Sequence, residues 1–330
     1  MTSLADTTDD ARWMGEALAL AERSRGQTAP NPNVGCVIVA PDGRVVGQGW
    51  TQPGGRPHAE AVALAEAGAA AKGATLYVTL EPCAHVSARG PACADLIVAA
   101  QPARVVVALT DPDSRTNGQG IARLRQAGIA VTEGVCAAEA RRSMAGFLTR
   151  LALGRPHVTL KLATSLDGRI ALPSGESRWI TGAEARADVH RERARHEAIL
   201  VGRGTYDADA PRLDVRLPGL EHRSPRRLLL TRGAAPEGWE ALHDLADLGA
   251  LDGVDHLLVE GGAGAAAAFL TADLVDRLLF YRAPILIGAG TSAVGDLGLS
   301  SLAEAHGRWR FIEARSLGSD RREVYERERD

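Results

Sequence analysis

Four residues in the N-terminal half have the types and spacing of a catalytic zinc site. One alanine separates His58 from Glu60, and Cys83 and Cys93 follow downstream. One imidazole and two thiolates would supply three zinc ligands and leave the fourth position to water, as catalytic zinc requires. Zinc lowers the pKa of such a water to about 7, so hydroxide becomes available near neutral pH. The pattern therefore predicts a zinc site that activates water.

Glu60 has the position expected of a proton carrier at this site. It follows His58 by two residues, close enough to move protons without binding the metal. We expect it to take a proton from water, protonate a ring nitrogen and then protonate departing ammonia. H-x-E followed by P-C-x-x-C is typical of zinc enzymes that deaminate nucleobases. The chain has Pro82-Cys83 but departs from the second half, because a long loop, 84–92, separates the cysteines.

Two other interpretations of these residues stay open at this point. They could be a helix-capping histidine, a solvated glutamate and two buried cysteines. A non-enzymatic module with a closed, structural zinc site would instead need a fourth protein ligand, for which Cys36 and His85 are the candidates. We favour the catalytic site, with His85 in contact with substrate.

Both ends of the motif lie at predicted helix starts. His58 precedes a predicted helix over 59–71, and Cys93 opens another over 93–100. Amide groups at a helix N-terminus carry partial positive charge. We therefore expect the helix to favour the thiolate form of Cys93.

The composition limits the class of protein. The 330 residues suggest two domains, and 38 Lys plus Arg against 41 Asp plus Glu, with no basic stripe, argue against nucleic-acid binding. No apolar run is long enough for a membrane span. Residues 1–10 are polar and lack the apolar core of a signal peptide, and we expect them to form a disordered tail. Because the chain has only four cysteines, we do not expect a disulfide framework. We expect a cytoplasmic enzyme instead.

Helical and strand patterns alternate along both halves, which is typical of α/β layers. The N-terminal half has predicted helices at 11–25, 59–71, 93–100, 121–127 and 138–153, with strands at 34–40, 44–50, 74–80, 104–109 and 129–132. The C-terminal half has predicted strands at 158–163, 198–202, 227–231, 256–260, 277–287, 309–314 and 323–325. The Gly154-Arg155-Pro156 stretch indicates a boundary, giving domains at 11–153 and 154–330.

The C-terminal half has two further features that suggest chemistry. Lys161, one of only two lysines, lies on a predicted strand, where a cation could act on a reacting group. Residues 259–264 form a Gly-rich turn that leads into a predicted helix, and such turns bind pyrophosphate. Gly262 and Gly264 fit the dinucleotide-binding fingerprint, which is weak without its usual βαβ context.

Taken together, these segments resemble the RibD family, the bifunctional deaminase–reductases of riboflavin biosynthesis. In the N-terminal half the similar segments are PNPNVG from Pro30, TLEPCAH from Thr79 and CADLI from Cys93. In the C-terminal half they are KLATSLDG from Lys161, SGESRWIT from Ser174, GRGT from Gly202 and DAPRLDVR from Asp209. The family also has a long cysteine spacing, typically one residue shorter than here, and often has His where this chain has Thr51.

For the N-terminal half, the resemblance implies a cytidine-deaminase-like α/β/α domain with one Zn²⁺. The ligands would be His58, Cys83 and Cys93, with Glu60 as the catalytic proton shuttle. The substrate would be 2,5-diamino-6-ribosylamino-4(3H)-pyrimidinone 5′-phosphate. The substrate contacts implied here are Asn31, His85 and Arg89.

For the C-terminal half, the resemblance implies a dihydrofolate-reductase-like α/β domain that uses NADPH to reduce the ribosyl group. Lys161 would be the catalytic cation near the ribose, and arginines suit bidentate contacts to its phosphate. The implied substrate contacts are Ser177, Arg193, Leu213, Arg216 and Glu260. The implied cofactor contacts are Ala163, Trp179, Thr205, Asp209, Gly261, Gly262 and Gly264.

One segment favours a competing hypothesis for the second domain. The stretch 231–255 is shorter than in the family and has Thr231-Arg232 where the family often has Asp and a small hydroxyl residue. Arg232 could bind the 2′-phosphate of NADPH, or the domain could only position substrate for the deaminase. The resemblance also implies a homo-oligomer, a dimer or tetramer, with small-molecule pyrimidine nucleotides as its partners.

Overall fold

A computed structural model describes residues 4–85 and 89–329 of the chain. The chain divides into two compact units, one ending at Gly154 and the other beginning at Arg155. Each unit has its own sheet and hydrophobic core, with helices between the strands. The α/β class predicted for both halves is confirmed. None of the described helices combines the length and apolar character needed to cross a membrane.

The N-terminal unit has a five-stranded mixed sheet in the order β2-β1-β3-β4-β5. Strand β1 is antiparallel to β2 and β3, whereas β3, β4 and β5 are parallel. Its elements are α1 Leu4–Ala21, β1 Gly35–Val39, β2 Val45–Trp50, α2 Ala59–Ala67, β3 Thr75–Val78, α3 Cys93–Ala100, β4 Arg104–Val107, α4 Gln119–Gln126, β5 Ala130–Glu133, α5 Ala137–Ser143 and α6 Ala145–Leu153.

Two glycines show why helices cover both faces of this sheet. A Cβ on Gly35 would lie 1.8 Å from the Ala17 carbonyl oxygen of α1, and one on Gly49 would lie 2.2 Å from the Ala59 carbonyl oxygen of α2. Gly49 is opposite Cys36 in the β1–β2 ladder, so it shares a face with Cys36 and not with Gly35. Helices α1 and α2 therefore pack on opposite faces, which produces the predicted α/β/α layering.

The expected disordered tail is helical where the structure describes it. Residues 4–10 belong to α1, and only 1–3 of the predicted tail lie outside the described residues. The carboxylate of Asp10 accepts hydrogen bonds from both terminal nitrogens of Arg104 at 3.0 and 2.6 Å and from the Tyr77 hydroxyl at 3.1 Å. These contacts explain why a polar segment is held against the sheet.

The C-terminal unit has an eight-stranded sheet in the order β10-β9-β8-β11-β6-β12-β15-β14 and a separate β7–β13 pair. The strands from β10 to β12 are parallel, and β15 and β14 extend the sheet antiparallel. Its elements are β6 His157–Thr164, β7 Arg169–Ala171, α7 Ala183–Arg193, β8 Ala198–Gly202, α8 Arg203–Asp209, β9 Arg226–Leu230, β10 Glu240–Leu242, β11 His256–Val259, α9 Ala263–Thr271, β12 Arg277–Arg282, β13 Thr291–Ser292, β14 Trp309–Leu317 and β15 Asp320–Arg327.

Several predicted elements end earlier than expected. The predicted helix over 59–71 stops at Ala67 because Gly68 takes a φ of +52°, and a short 3-10 turn completes it. The predicted helix over 138–153 is two helices that meet at Met144. The strand predicted to run to 287 ends at Arg282, shortly before Pro284, which has no N–H for the ladder. Helix α7 was not predicted at all.

Candidate active sites

Two helix starts and one loop bring the predicted zinc ligands together. His58 is the residue before α2, Glu60 lies in the first turn of α2, and Cys93 is the first residue of α3. Cys83 lies on the loop that leaves β3. The Cys93 amide donates to Cys83 Sγ at 3.3 Å, and the Ala94 amide donates to the Cys83 carbonyl at 3.1 Å. The two cysteines therefore meet directly, although a long loop separates them in sequence.

The spacing of the donor atoms fits a tetrahedral zinc ion. Nδ1 of His58 lies 3.6 Å from Cys83 Sγ and 3.4 Å from Cys93 Sγ. Zinc bonds of about 2.3 Å to sulfur and about 2.0 Å to nitrogen, at tetrahedral angles, place nitrogen and sulfur about 3.5 Å apart. Because the observed separations match that edge length, these residues can hold zinc without rearrangement.

The two thiols of the cluster differ in their ionisation. Hydrogen bonds from the Cys93 side chain, from His58 and from the Cys93 amide lower the pKa of Cys83, whereas the neighbouring Cys83 and burial raise the pKa of Cys93. The amide at the start of α3 thus favours the thiolate of Cys83. The expected thiolate at Cys93 refers to the site with zinc bound and stays a prediction. Two adjacent thiolates repel each other, so a site that holds both charges needs a cation. This donor chemistry also fits zinc.

The described cluster offers three protein ligands, so the fourth ligand of a bound zinc ion would be a non-protein one. Among residues 4–85 and 89–329, the only group of three or more His, Cys, Asp or Glu side chains close enough to share a metal is His58, Cys83 and Cys93. Cys36 is fully buried in β1, and neither it nor His85 belongs to the group. The described residues therefore do not form a closed four-ligand site.

Glu60 lies beside the cluster and is almost completely enclosed. It is 3% exposed, and its carboxyl group is in hydrogen-bond contact with the Cys93 side chain. Burial raises the pKa of Glu60 to about 7, with an opposing effect from His58. A carboxyl group in this environment can hold or release a proton near neutral pH.

The predicted pyrimidine contacts gather at one side of His58. The Asn31 amide nitrogen donates to the Gly55 carbonyl at 2.7 Å and lies 3.2 Å from His58 Nε2. Exposed Arg89 donates to the neighbouring Gly54 carbonyl at 2.7 Å. Nδ1 of His85 is buried and makes no hydrogen bond within the described part of the chain, although residues 86–88 beside it lie outside that part.

Thr51, where the resemblance suggests a histidine, has a structural position. It is 1% exposed. Its hydroxyl accepts from the Val34 amide at 3.0 Å, and its own amide donates to the Val34 carbonyl at 2.9 Å. The threonine hydroxyl is therefore hydrogen-bonded to the backbone of Val34 and has a structural role.

The sequence analysis missed Glu81, the residue that anchors the zinc loop. Its carboxylate accepts from the amides of Asp111, Gly118 and Ile121 at 3.1, 2.8 and 3.1 Å. A Cβ on Gly120 would lie 2.0 Å from the Pro82 carbonyl oxygen, so only glycine allows α4 to approach this loop. The signal available in the sequence was a glutamate placed between an apolar strand pattern and Pro82-Cys83.

In the C-terminal unit, three predicted site residues form one ion cluster. Glu260 accepts from Arg193 Nε at 2.7 Å and from Arg193 Nη2 at 2.9 Å, and Lys161 Nζ lies 3.5 Å from Glu260 Oε2. Burial acts to raise the pKa of Glu260, but Arg193 and Lys161 outweigh it and hold this pKa at about 2. Glu260 is therefore a fixed negative charge between two cations.

The other predicted substrate contacts differ in their access to ligands. The Arg216 side chain is 48% exposed, with Nε 3.4 Å from Asp214, and Ser177 is partly exposed. Leu213 is buried and packs with Ile199 and other apolar residues of the sheet. Its side chain belongs to the core, so the predicted contact between Leu213 and substrate, which stays a prediction, would come from its backbone.

The predicted cofactor contacts form two small groups. The Gly262 amide, at the start of α9, donates to the Thr205 hydroxyl of α8 at 3.0 Å. Arg178, next to the exposed Trp179, donates to the Asp209 carbonyl at 2.9 Å. The fold places Gly261 and Gly264 in the same turn as Gly262, and Ala163 on β6 opposite Tyr281.

An open cleft of about 770 Å³ lies at the same end of the sheet. Its lining includes Arg203, Thr231 and His243, which directly follow the parallel strands β8, β9 and β10. Arg232 also lines the cleft and is exposed. The carboxyl ends of parallel strands are the usual place for nucleotide binding in α/β proteins.

Comparisons with known proteins match both units. The zinc-binding region of cytidine and deoxycytidylate deaminases matches residues 7–109, and the RibD C-terminal domain matches 156–238 and 239–321. RibD of Escherichia coli K12 is 41% identical over 360 residues, covering 94% of this chain and 97% of that protein. RibD of Mycobacterium tuberculosis H37Rv is 41% identical, covering 93% and 94%.

Solved structures agree over nearly the full length. Acinetobacter baumannii RibD, form 1, has a TM-score of 0.84 and 38% identity, and covers 98% of this chain and 100% of that one. A Thermotoga maritima diaminohydroxyphosphoribosylaminopyrimidine deaminase/5-amino-6-(5-phosphoribosylamino)uracil reductase has a TM-score of 0.86 and 30% identity, covering 97% and 99%. The chain belongs to the RibD family and is a bifunctional deaminase–reductase of riboflavin biosynthesis.

Proposed function

We propose that the N-terminal unit deaminates 2,5-diamino-6-ribosylamino-4(3H)-pyrimidinone 5′-phosphate and that the C-terminal unit reduces the ribosyl group of the product with NADPH. The observation that carries this proposal is buried Glu60 beside three donor atoms with zinc spacing. The Thermotoga maritima relative, named for the same two reactions, supports it. We assign deamination to residues 11–153 and reduction to 154–330.

In the deaminase site, His58, Cys83 and Cys93 would hold one zinc ion. Zinc bound there supplies Lewis acidity that makes water a competent nucleophile near neutral pH. Glu60 carries one proton of the attacking water to a ring nitrogen as the C–O bond forms. It then carries the remaining water proton to the amino group, which leaves as ammonia as the C–N bond breaks and the carbonyl forms. Asn31, beside His58, orients the pyrimidine. His85 and Arg89 bind the substrate from the loop between the cysteines.

In the reductase site, Lys161 is the catalytic cation. NADPH would supply a hydride to C1′ of the ribosyl group as the C1′–O4′ bond breaks, and the released O4′ takes up a proton. Lys161 stabilises the negative charge that develops at the sugar, and Glu260 keeps its ammonium in place. Ser177 and Arg216, both accessible to solvent, contact the substrate, with Arg216 at its phosphate. We assign the cofactor to Ala163, Trp179, Thr205, Asp209, Gly261, Gly262 and Gly264.

The cleft beyond β8, β9 and β10 suits the adenosine end of NADPH. Two of its lining residues, Arg203 and Arg232, are cations. Arg203 Nη1 lies 3.5 Å from Asp207, so part of its charge is already paired. Arg232 makes no ion pair within the described residues. We assign Arg232 to the 2′-phosphate, because guanidinium groups bind phosphate in a bidentate manner.

The proposed reactions are tested with zinc-loaded, full-length protein and the diaminopyrimidine phosphate, with and without NADPH. Ammonia should be released in both cases, and the ribityl product should form only with NADPH. Ammonia release without any ribityl product would contradict the reductase assignment, and the absence of both would contradict the substrate.

A deaminase whose second domain only positions substrate is the competing function, motivated by the short segment 231–255. Titration of full-length protein with NADPH, followed by fluorescence, separates the two. Saturable binding at micromolar cofactor supports the reductase, whereas no binding at millimolar cofactor favours the competitor.

We also propose that the protein is a cytoplasmic homo-oligomer, a dimer or tetramer. The absence of disulfides among its four cysteines agrees with a reducing compartment. Light scattering and cell fractionation test the two parts of this proposal, and a monomer or a secreted protein would contradict them.

A further inference from the structure

Arg216, the exposed arginine assigned to the substrate phosphate, follows a segment of strained backbone. Leu213 has a φ of +54°, a left-handed conformation that residues other than glycine rarely adopt. Its side chain packs with Ile199 and other apolar residues, and Val215 is buried as well. A strained backbone conformation persists only where the surrounding contacts determine it fully. The contacts of the segment 213–216 therefore decide where the Arg216 side chain starts.

Helix α7 supplies one of these contacts through His190. Nδ1 of His190 lies 3.1 Å from the Asp214 carbonyl oxygen and 3.3 Å from the Arg216 amide nitrogen. A ring nitrogen either carries a proton and donates or has a lone pair and accepts, so it bonds to one of these two groups at a time. In both states the bond joins α7 to the backbone beside Arg216.

The Arg216 amide depends on His190 for its hydrogen bond. The neighbouring Val215 amide has a different partner, since it donates to the Ser224 hydroxyl at 2.9 Å. Within the described residues, the Arg216 amide donates to His190 Nδ1 and to no other group. Loss of the imidazole would therefore release the backbone at the residue that carries the guanidinium.

The surroundings keep the His190 ring neutral. Burial lowers the pKa of His190, and the cations Arg193 and Arg216 lower it further. The Asp214 carbonyl and Glu260 oppose this shift without reversing it. A neutral ring can present a lone pair at Nδ1, which the Arg216 amide requires. The Asp214 carbonyl keeps a donor in that state, because Arg193 Nη1 donates to it at 3.1 Å.

We infer that His190 is a positioning residue that fixes the backbone at Arg216 and thereby directs the Arg216 guanidinium to the substrate phosphate. This inference rests on the proposed function, in which Arg216 binds that phosphate. An arginine side chain is long and flexible, so a fixed backbone at its root narrows the region that the guanidinium samples. Because the phosphate is bound alike in the ground state and the transition state, His190 affects KM and not kcat.

The test measures reduction by full-length, zinc-loaded protein with NADPH, on 5-amino-6-(5-phosphoribosylamino)uracil and on its phosphate-free counterpart. His190→Leu should raise KM for the phosphorylated substrate about fivefold or more, with kcat within about twofold of wild type. KM for the phosphate-free counterpart should change less than about twofold, because that substrate makes no phosphate contact. His306→Leu, at an exposed histidine, is the matched control and should leave both KM values unchanged.

Rescue by a conservative variant separates positioning from a general structural role. The side-chain amide of asparagine lies near the place of a histidine Nδ1 and can both accept and donate. His190→Asn should therefore bring KM for the phosphorylated substrate back to within about twofold of wild type. An asparagine variant as weak as His190→Leu would overturn the inference, as would an equal rise in KM for both substrates.

A double-variant cycle tests whether His190 acts through Arg216. Arg216→Met alone should raise KM for the phosphorylated substrate about tenfold or more. Adding His190→Leu to it should raise this KM less than about twofold further, because the contact that His190 positions is already gone. Independent, multiplied effects would show that His190 does not act through Arg216.

Two further readouts separate misfolding and failure of the proposed function from failure of the inference. NADPH binding and turnover of the phosphate-free counterpart report whether the C-terminal unit of each variant is folded. If His190→Leu is not folded, His190→Ala carries the test with the same expected rise in KM. If Arg216→Met leaves KM unchanged, the proposed phosphate contact fails at Arg216. If Arg216→Met raises KM and His190→Leu does not, the inference alone fails.

Discussion

The two candidate sites handle buried charge in opposite ways. In the N-terminal unit, Glu60 lies next to two thiols, and burial raises its pKa to about 7 against the opposing effect of His58. In the C-terminal unit, the Glu260 side chain is 8% exposed and is paired with Arg193 and Lys161, and its pKa is about 2. The first site holds a carboxyl group whose pKa lies near neutral pH. The second is electrostatically complete and keeps a fixed charge.

Replacement of the proton carrier gives the largest expected effect and tests the first half of this comparison. Glu60→Gln should lower ammonia release by about 10³- to 10⁴-fold, because the amide cannot shuttle protons. Reduction of supplied deaminated substrate should be unchanged. Zinc content, measured by atomic spectroscopy, is the control, and ammonia release within tenfold of wild type at full zinc content would remove Glu60 from the mechanism.

Replacement of Glu260 by a neutral residue tests the second half of the comparison, the fixed charge of the C-terminal site. Its pKa is lowered from 4.5, so its contribution to stability is complete above a pH of about 4.5 and is lost as the pH falls towards about 2. Glu260→Gln should lower the free energy of unfolding by about 3 kcal/mol at neutral pH, and the difference should shrink below pH 4.5. Hydrogen exchange of peptides from β6 and β11 in urea reports on this unit.

Exposed Glu237→Gln is the control for that measurement. It should leave the free energy of unfolding within about 0.5 kcal/mol at every pH. A difference between wild type and Glu260→Gln that stays constant from pH 7 to pH 2 would show that Glu260 is not held ionised by its neighbours.

The cleft cation Arg232 should have a smaller effect, confined to the cofactor. Arg232→Ala should weaken NADPH binding about tenfold and leave NADH binding unchanged, since one phosphate contact is lost. Arg315→Ala, an exposed arginine on β14, is the matched control. Equal weakening of both cofactors would show that Arg232 does not recognise the 2′-phosphate.

The smallest effect is expected at Glu81, a buried carboxylate held by amides rather than by cations. Glu81→Gln should lower stability by about 1 kcal/mol, because hydrogen bonds to a charged acceptor are stronger than those to a neutral one. Zinc affinity should fall with it, since Glu81 anchors the loop that carries Cys83. Thermal unfolding measures the stability, and competition with a chelator measures the zinc affinity. Unchanged zinc affinity would show that the loop holds its shape without this anchor.

The sequence was most informative where functional residues lie close together at element ends. His58, Glu60 and Cys93 were placed correctly because helix starts can be recognised from local patterns. Helix α7 was missed because most of the side chains it buries are charged, namely Asp188, Glu192 and Arg193, with only Ala185 and Val189 as buried apolar residues. Their partners, such as Arg322 beside Glu192 at 3.0 Å, are distant in sequence, so no local pattern reveals them. The direction of the Cys93 amide, which donates to Cys83 Sγ, likewise depends on the folded loop.

The direct contact between the two cysteines has a consequence for how such enzymes diversify. The Cys93 amide and the Ala94 amide close the inter-cysteine segment onto Cys83, so its two ends are fastened together next to the metal position. Insertions or deletions between them then change the segment's outer part without moving the donor atoms. Selection can therefore remodel substrate recognition there while the hydrolytic centre is inherited unchanged.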